Sequence, residues 1–483
     1  MASLQNLPLE LLETVCYCLD ALSILRLTQV SRLFPHILQN SSALQYKVQL
    51  EFAGLNDGQP SGSGSSGRFE MLRTYQAAWA NFDSTRSTTT PVPLQGNLWE
   101  LVGNVVGTYA PQSGFSFTRI PSVIRLVSHK EWTITDVPFS VHDFSMDLSQ
   151  DLLLVVAVND SSVTIRLLSL QTGRLHPRAR NPSLSRKLEN QDSDRSFEIR
   201  IFAEYIGVMV DSDREDNELF VWEWKTGEIK KHIRRDDITS FAFLNNRTLL
   251  VGTFSHTSSA VLPELRVVKI DGELDDMTAH FTFRLPACRK NRQYAGDLDL
   301  KIQTEPPTSW HPDDHLDEPF TTSHEDRLFV VSLKKWAMFQ ASEPVFMLCF
   351  LLSTLLGLME NTLDMEEHTL MWDRWGPCGT RMLRVPSLPD PWVCFVHGRR
   401  CVLQMSKTRG NILDFSPHAA SQDRILDEKT VDRHRRLFKD PVTTSAPFSL
   451  LSVEVAPSSA IMLAEDGIVA VSEEEDIFGI YYI

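Results

Sequence analysis

The 483-residue sequence predicts an α + β multidomain protein in which an N-terminal module of short helices precedes an all-β propeller of about six to seven blades. Residues 1–55 space their apolar side chains at a helical period. From about residue 94 the pattern changes to short runs rich in Val, Ile, Leu, Phe and Trp between polar turns. Three turn glycines then recur at intervals close to the length of one propeller blade. The predicted organisation is therefore helices in 1–55, a flexible linker with one helix in 56–93, and the propeller with inserted loops in 94–483.

The first fifty residues predict three or four short helices. One apolar stripe has the spacing i, i+3, i+4 and i+7: Leu12, Val15, Cys16 and Leu19. Pro8 suits the first turn of this helix, where a missing N–H is tolerated. Serines are the predicted N-caps of the next three helices: Ser23, Ser31 and Ser42. Because so short a stretch cannot bury all of its apolar side chains within itself, part of its surface is expected to meet a partner.

The linker prediction rests on residues 56–67, which are almost wholly Gly, Ser, Asp, Asn, Gln and Pro. Such a composition behaves as flexible coil. After it, residues 69–82 place aromatic and aliphatic side chains along one helical face, and a Thr-rich tract at 84–93 ends that helix. The single helix is expected to orient the two domains.

Three strand pairs start the predicted propeller: 152–158 with 163–169, 205–211 with 218–224, and 248–254 with 264–270. Each ends at a turn glycine, and Gly173, Gly227 and Gly272 follow one another at intervals of 54 and 45 residues. The run 220–227 resembles the third strand and turn of a WD40 blade. Trp222 and Trp224, on one face of that strand, are expected to pack in the core. The segments 450–455, 460–463, 468–471 and 478–483 are predicted to form the last blade.

The helical residues also resemble a known family. Its pattern matches the following positions: Leu7-Pro8, Leu11-Leu12, Val15, Leu19, Leu22, Ile24, Val30-Ser31-Arg32 and Phe34. They resemble the F-box, the docking module of ubiquitin-ligase substrate adaptors, over about a tenth of the chain. Many members carry Trp at the position of Phe34 and Cys or Ser at that of Ser31, and these exchanges keep the packing role. Later segments resemble the large F-box families of mushroom-forming fungi: 44–50, 53–55, 68–79, 99–101, 120–122, 375–377 with 380–381, and 396–400. The alternative is an ordinary helical subdomain.

The resemblance implies a substrate-recognition adaptor of a Skp-cullin-F-box ubiquitin ligase. In that role the F-box docks on a Skp-family adaptor, which joins a cullin, while the propeller captures a target protein and no covalent chemistry occurs on this chain. The predicted interface or its immediate support consists of nine residues: Leu7, Pro8, Leu11, Leu12, Leu22, Ile24, Leu27, Val30 and Phe34. Of these, Leu12 and Phe34 are expected to serve the core as well. The alternative function is a non-catalytic interaction scaffold that binds the adaptor outside any ligase.

Charge and cysteine content narrow the class of protein. A net charge of −15 at pH 7 argues against nucleic-acid binding, which needs a basic surface. Seven cysteines, an odd number without regular spacing, indicate a reducing compartment, and the N-terminus lacks the basic start of a signal peptide. The expected location is cytoplasmic or nuclear.

One apolar run, residues 345–359, is uncharged but shorter than the roughly 20 residues that a membrane-spanning helix needs. It is expected to be a buried helix or a strand pair, and an insertion packed against the propeller is a further reading. No membrane association is predicted.

Motifs for catalysis and for cofactors are weak. Residues 62–67 match GxGxxG, but no strand precedes them and no βαβ unit follows, so they are predicted to be linker. The sequence contains no GxxxxGK[ST], HExxH or GxSxG. One dense set of possible metal ligands is predicted to be a solvated acidic loop: His311, Asp313, Asp314, His315 and Asp317. We therefore predict no enzyme, metal or cofactor; loop carboxylates around a propeller channel remain the alternative, with no pair nominated.

Overall fold

A computed structural model describes residues 7–483 with these exceptions: 59–63, 84–87, 95, 97, 160–161, 189–194, 213–215, 291–297, 307–317, 336–344, 363–367, 386–393, 417–424 and 473–475. The His/Asp cluster at 311–317 lies outside the described residues, as does the start of the GxGxxG match.

Five helices precede the propeller: α1 (Leu9–Tyr17), α2 (Ala21–Val30), α3 (Leu33–Asn40), α4 (Ser42–Phe52) and α5 (Ser65–Ala80). Two predicted caps are displaced. Asp20 caps α2 by accepting from the Ser23 backbone N–H at 2.8 Å, and Ser41 caps α4 by accepting from Leu44 N–H at 3.2 Å. A carboxylate or hydroxyl in the extended residue before a helix satisfies one of its free N–H groups, so each cap lies earlier than the predicted serine.

Helix α4 joins two cores because it is apolar on two faces. Leu44 and Val48 pack against α1–α3, in a small core with Leu12, Ile24 and Phe34. Tyr46 and Leu50, on another face of α4, belong to the core that continues into α5 and the propeller. The four short helices are thus attached to the rest of the molecule through α4.

The predicted linker contains two strands as well as α5. Strand β1 (Leu55–Asp57) pairs antiparallel with residues 320–322, and β2 (Thr88–Pro93) pairs with residues 477–482. Segment 56–67 is therefore not coil throughout: its first residues form a strand, and Ser65 begins α5.

Residues from 98 onward, together with β2, form the blades of the propeller, with strands numbered in chain order. Blade 1 contains β3 (Leu98–Val102), β4 (Val105–Ala110), β5 (Gly114–Arg119) and β6 (Lys130–Ile134); blade 2 contains β7 (Asp143–Asp147), β8 (Leu152–Asn159), β9 (Ser162–Ser169) and β10 (Ser183–Lys187); blade 3 contains β11 (Arg195–Phe202), β12 (Tyr205–Ser212), β13 (Asn217–Glu223) and β14 (Glu228–Arg235). Blade 4 contains β15 (Ile238–Asn245), β16 (Thr248–His256), β17 (Ala260–Lys269) and β18 (Ala279–Arg284), and β19 (Cys288–Arg289) adds to β17.

Blades 5 to 7 contain most of the remaining strands and two helices. Blade 5 contains β20 (Leu298–Gln303), β22 (Leu328–Lys335), β23 (Val345–Leu351) and β25 (Arg381–Val385), and β21 (Phe320–Thr322) is the partner of β1. Between β23 and β25 the chain forms α6 (Leu352–Asn361), β24 (Thr369–Leu370) and α7 (Trp372–Gly379), and β24 pairs in parallel with β18 of blade 4. Blade 6 contains β26 (Val396–His397), β27 (Arg400–Ser406), β28 (Arg409–Asp414) and β32 (Phe448–Glu454), with β29 (Ile425–Leu426) beside β32 and a separate hairpin of β30 (Thr430–Asp432) and β31 (Val442–Thr444). Blade 7 contains β33 (Ala460–Ala464), β34 (Gly467–Ser472), β35 (Ile477–Tyr482) and β2.

The propeller has seven blades, which confirms the propeller part of the predicted fold class. The composition of the last blade was wrong in one strand: residues 450–455 belong to blade 6, and β2 supplies the fourth strand of blade 7. Pairing of β2 with β35 closes the ring. Pro91 and Pro93 are tolerated in β2 because it is the outer edge strand of that sheet.

The apolar run 345–359 divides into two elements of the propeller. Its first half is β23, a buried strand of blade 5 that pairs with β22 on one side and β25 on the other. Its second half begins α6. It is therefore not an insertion. No helix in the described parts of the chain is long and apolar enough to cross a membrane.

The predicted strand pairs and turns of blades 2 to 4 are confirmed. Gly173, Gly227 and Gly272 have φ values of +68°, +79° and +126°, which glycine adopts readily. Trp222 and Trp224 are fully buried between blades 2 and 3. All seven cysteines are free thiols.

Candidate docking face and central channel

The N-terminal helices carry an exposed apolar surface. Seven of the fifteen large apolar side chains that are exposed in the described chain lie within residues 7–30. We call these seven residues the docking face: Leu7, Leu9, Leu11, Val15, Tyr17, Leu22 and Val30. Single exposed apolar residues are normal, whereas their concentration in so short a stretch makes these helices a candidate interaction site.

The docking face is exposed because the helices bury a different stripe. Leu12 and Cys16, one turn apart on α1, point into the helix core, while Leu11 and Val15 lie one turn apart beside that stripe and reach solvent. Glu13 is hydrogen bonded to the Ser41 hydroxyl, and this bond ties α1 to the start of α4.

Polar contacts also fix α2 to α4. The Glu51 carboxylate accepts from the Ala21 backbone N–H at 3.0 Å. With the bond between Glu13 and Ser41, this contact holds α1, α2 and α4 in a defined arrangement.

The nine residues predicted for partner binding separate into two groups. Five are exposed and four are not. Leu7, Pro8, Leu11, Leu22 and Val30 are exposed; Leu27 is half-buried, and Leu12, Ile24 and Phe34 are buried in the helix core, where they support the exposed residues. The prediction missed Leu9, Val15 and Tyr17 as exposed positions. Val15 was assigned to the buried stripe, although its spacing from Leu11 already placed the two on one face.

Arg399, in the turn between β26 and β27, attaches the helices to blade 6. Its guanidinium donates to the Phe52 carbonyl at the end of α4 at 2.9 Å, and to the Asp326 backbone carbonyl and carboxylate at 3.2 and 3.0 Å. A cation at a helix C-terminus is favourable because the last carbonyls lack helical partners. The Tyr75 hydroxyl of α5 donates to the Glu465 carbonyl at 2.8 Å, so blade 7 is attached as well.

Glu465, whose carbonyl accepts from Tyr75, also belongs to a buried ionic cluster. Arg125 is fully buried, and its guanidinium contacts three carboxylates, those of Glu318, Glu465 and Asp466. Burial alone would lower the pKa of Arg125, but the carboxylates raise it well above its ordinary value. Arg125 comes from blade 1, whereas Glu465 and Asp466 form the first turn of blade 7. The cluster therefore joins the two blades that flank the closure.

The second candidate region is the central channel. Consecutive first strands contact one another around the axis, as β3 with β7, β7 with β11, and β11 with β15. A cavity of about 40 Å³ lies among them, lined in part by Glu100, Arg200, Thr304, Glu305 and Arg327. These residues come from blades 1, 3 and 5 and from the segments beside them. No sequence motif indicates that these residues lie together.

Burial perturbs the carboxyl groups of this channel. It raises the pKa of Glu100 to about 8, with the carboxyls of Asp143 and Glu305 as further causes. Burial likewise raises the pKa of Glu305 to about 7 and that of Asp143 to about 7. The Cys394 thiol donates to Glu100 at 3.5 Å. Among the described residues, no group of three or more His, Cys, Asp or Glu side chains is arranged to hold a metal ion.

Known proteins resemble the chain only distantly. No protein-family model matches it, and neither does any curated protein. Among solved structures, Hsv2 from Kluyveromyces lactis is 11% identical, with a TM-score of 0.28 over 75% of this chain and 99% of that chain. Oligopeptidase B from Leishmania major is 10% identical, with a TM-score of 0.28 over 86% and 58%. The uncharacterized protein lmo1340 from Listeria monocytogenes is 10% identical, with a TM-score of 0.27 over 54% and 82%. These likenesses carry no argument about function.

Proposed function

We propose that this protein is a substrate-recognition adaptor of a Skp-cullin-F-box ubiquitin ligase. In this proposal the docking face binds a Skp-family adaptor that joins a cullin, and the propeller captures the target protein. The observation that carries the proposal is the docking face itself, an apolar surface on helices that already have a core of their own. The sequence resemblance of these helices to the F-box supplies the identity of the partner. The proposed location is cytoplasmic or nuclear.

The mode of binding follows from the geometry of the helices. Apolar side chains presented on short helices bind in an apolar groove, and a few central side chains dominate such an interface. Leu11, Val15 and Leu22 are the residues that we expect to dominate, since the helix core beneath fixes their backbone. Buried Leu12, Ile24 and Phe34 would act by holding the helices in place.

Co-purification tests the proposal. The tagged full chain is expected to recover a Skp-family adaptor and a cullin, whereas a Leu11→Ser, Leu22→Ser double variant is expected to lose both. The control is Val123→Ser, Leu126→Ser, which changes two exposed apolar residues on the propeller and should recover both partners. Equal recovery with both variants would contradict docking through this face.

A non-catalytic scaffold is the second candidate function. It shares the docking face but predicts that the adaptor is recovered without a cullin. An adaptor-only complex that persists when purified cullin is added would favour the scaffold.

A further inference from the structure

Part of the chain between β28 and β32 of blade 6 packs on blades 4 and 5. Between strands β30 and β31, Leu437 and Phe438 are buried in a core that contains side chains of both blades. Phe438 forms a β-bridge with Cys288 of β19, and its ring centroid lies 4.8 Å from that of Phe346 in β23. The segment is therefore anchored on two neighbouring blades.

Hydrogen bonds to the backbone hold the same segment against β19. The Arg289 N–H donates to the Leu437 carbonyl at 2.7 Å, and the Lys439 N–H donates to the Ala287 carbonyl at 2.9 Å. The Arg289 guanidinium donates to the carbonyls of Phe438 and Lys439 at 3.2 and 3.3 Å. The charge of Arg289 is thereby held beside the segment.

The two segments joined by these bonds present a concentration of positive charge. We call their six exposed cations the basic surface: Arg289, Lys290, Arg433, Arg435, Arg436 and Lys439. Only two carboxylates, Asp432 and Asp440, occur in residues 289–290 and 432–440. Within the described part of the chain, none of the six cations forms an ion pair.

The arginines of this surface have a defined backbone. His434 lies between Arg433 and Arg435, and its ring centroid is 5.3 Å from that of Phe346. The His434 carbonyl accepts from the N–H groups of Leu437 and Phe438 at 3.1 and 3.0 Å, which closes a turn through Arg435 and Arg436. Buried or packed side chains thus fix the turn, and the arginines reach solvent.

This local excess of cations does not follow from composition. The chain has 62 acidic and 47 basic side chains, so carboxylates that could neutralise the surface are plentiful elsewhere. Like charges held close together repel one another, and an anionic partner relieves the repulsion. The arrangement therefore favours binding of negative charge.

We propose that the basic surface binds an acidic segment of the captured protein, one rich in Asp and Glu. Guanidinium groups bind carboxylates in a bidentate geometry, and residues 433–436 offer three of them to one short segment. A long polyanion would also meet the acidic remainder of the chain, whose net charge is −15, so a short acidic segment fits better. This inference rests on the target-capturing half of the proposed function and names the chemistry of the target.

Fluorescence anisotropy of a labelled acidic peptide, titrated with the full chain, tests the inference. The probe is fluorescein-Glu-Glu-Ser-Glu-Glu-Ser-Glu-Glu-amide, and the neutral control peptide has Gln at every Glu position. The native chain should bind the acidic peptide and not the neutral one. Its affinity should fall as the salt concentration rises, because salt screens exposed charges.

Charge removal should weaken binding only at the basic surface. The triple variant Arg433→Gln, Arg435→Gln, Arg436→Gln should bind the acidic peptide at least about tenfold more weakly. The matched control removes the same charge from three exposed positions on blades 2, 4 and 6: Arg174→Gln, Arg247→Gln, Arg409→Gln. Because distant exposed charges are screened, this control should bind within about twofold of the native chain.

Melting temperatures separate misfolding from loss of the surface. The three arginines are exposed, so the triple variant should have the Tm of the native chain. A second variant, Lys290→Gln with Lys439→Gln, should weaken binding by about threefold or more and tests the surface without the arginines.

Four outcomes would overturn the inference: no binding of the acidic peptide, equal binding of the Gln peptide, native affinity in both surface variants, or an equal loss in the matched control. Binding of phosphatidylserine vesicles through the same residues, without peptide binding, would also overturn it, because the surface would then contact a membrane. Adaptor recovery by the triple variant should match that of the native chain. Peptide binding by a native chain that recovers no adaptor would contradict the proposed adaptor role alone.

Discussion

The docking face and the central channel place their side chains in opposite environments. The docking face leaves apolar side chains in water on short helices, although the same helices bury Leu12, Ile24 and Phe34. The channel instead holds carboxyl groups and two arginines away from bulk water. Both arrangements cost free energy in the isolated chain, since apolar surface stays hydrated in one and charge is desolvated in the other. The exposed apolar side chains of the helices therefore favour binding of an apolar partner surface.

The largest expected effect comes from the ionic cluster that joins the first and last blades. Arg125→Met removes the only cation that contacts Glu465 and Asp466 among the described residues, and it leaves buried carboxylates uncompensated. We expect a loss of about 3–5 kcal/mol in the free energy of unfolding, measured by urea denaturation. A loss below about 1 kcal/mol would show that water replaces the guanidinium.

The helix core and the docking face should differ sharply in stability. Leu12→Ala, at a buried position, is expected to cost about 2–4 kcal/mol, whereas Leu11→Ala, about half-exposed, should stay within about 0.5 kcal/mol. Thermal unfolding of the two variants measures the difference. Similar losses would mean that Leu11 packs within the module, and the docking face would then be smaller than proposed.

The channel should make the protein less stable at alkaline pH. Glu100, Asp143 and Glu305 have pKa values raised to about 8, about 7 and about 7, so the folded chain binds more protons than the unfolded chain between about pH 5 and pH 8. Stability therefore falls as pH rises through this window, by up to about 1.4 kcal/mol per pH unit for each proton. Buried His397, whose pKa burial lowers to about 4, acts in the opposite direction below about pH 6.5.

Melting temperatures from pH 5 to pH 9 measure this dependence. The Glu100→Gln variant should show a weaker decline than the native chain above pH 7, while Glu131→Gln, at an exposed position, should follow the native curve. Parallel curves for Glu100→Gln and the native chain would mean that water hydrates the channel well enough to remove the effect.

The smallest expected effect concerns two adjacent serines. Ser41→Ala removes the cap of α4 and the bond to Glu13, and should cost about 1 kcal/mol, whereas Ser42→Ala should stay within about 0.5 kcal/mol. Chemical denaturation of the two variants decides between them. A larger loss for Ser42→Ala than for Ser41→Ala would show that Ser42 is the cap, as predicted from the sequence.

Regular periodicity made the helices, the strand pairs of blades 2 to 4 and the propeller class predictable. Most of the helix core follows from local spacing, which a sequence displays directly, whereas the exposed positions Leu11 and Leu22 were predicted from the resemblance to the F-box. The last blade did not follow, because β2 and β35 are adjacent only in the folded ring and no local pattern connects them. The channel was equally hidden. Glu100, Thr304 and Arg327 each look like an ordinary residue of a strand or turn, and only closure of the ring brings them into one cavity.

Closure of the ring by β2 also sets an order for folding during synthesis. Strand 88–93 emerges from the ribosome early, but its partner strand 477–482 is made only after six blades have been translated. The helices have mostly local contacts and can form at once, whereas the edges of β2 and β34 stay open until β35 is made. Open strand edges pair readily with other chains. The nascent protein therefore has its docking face ready long before its propeller is protected from aggregation, and a chain cut short of residue 477 would keep both edges exposed.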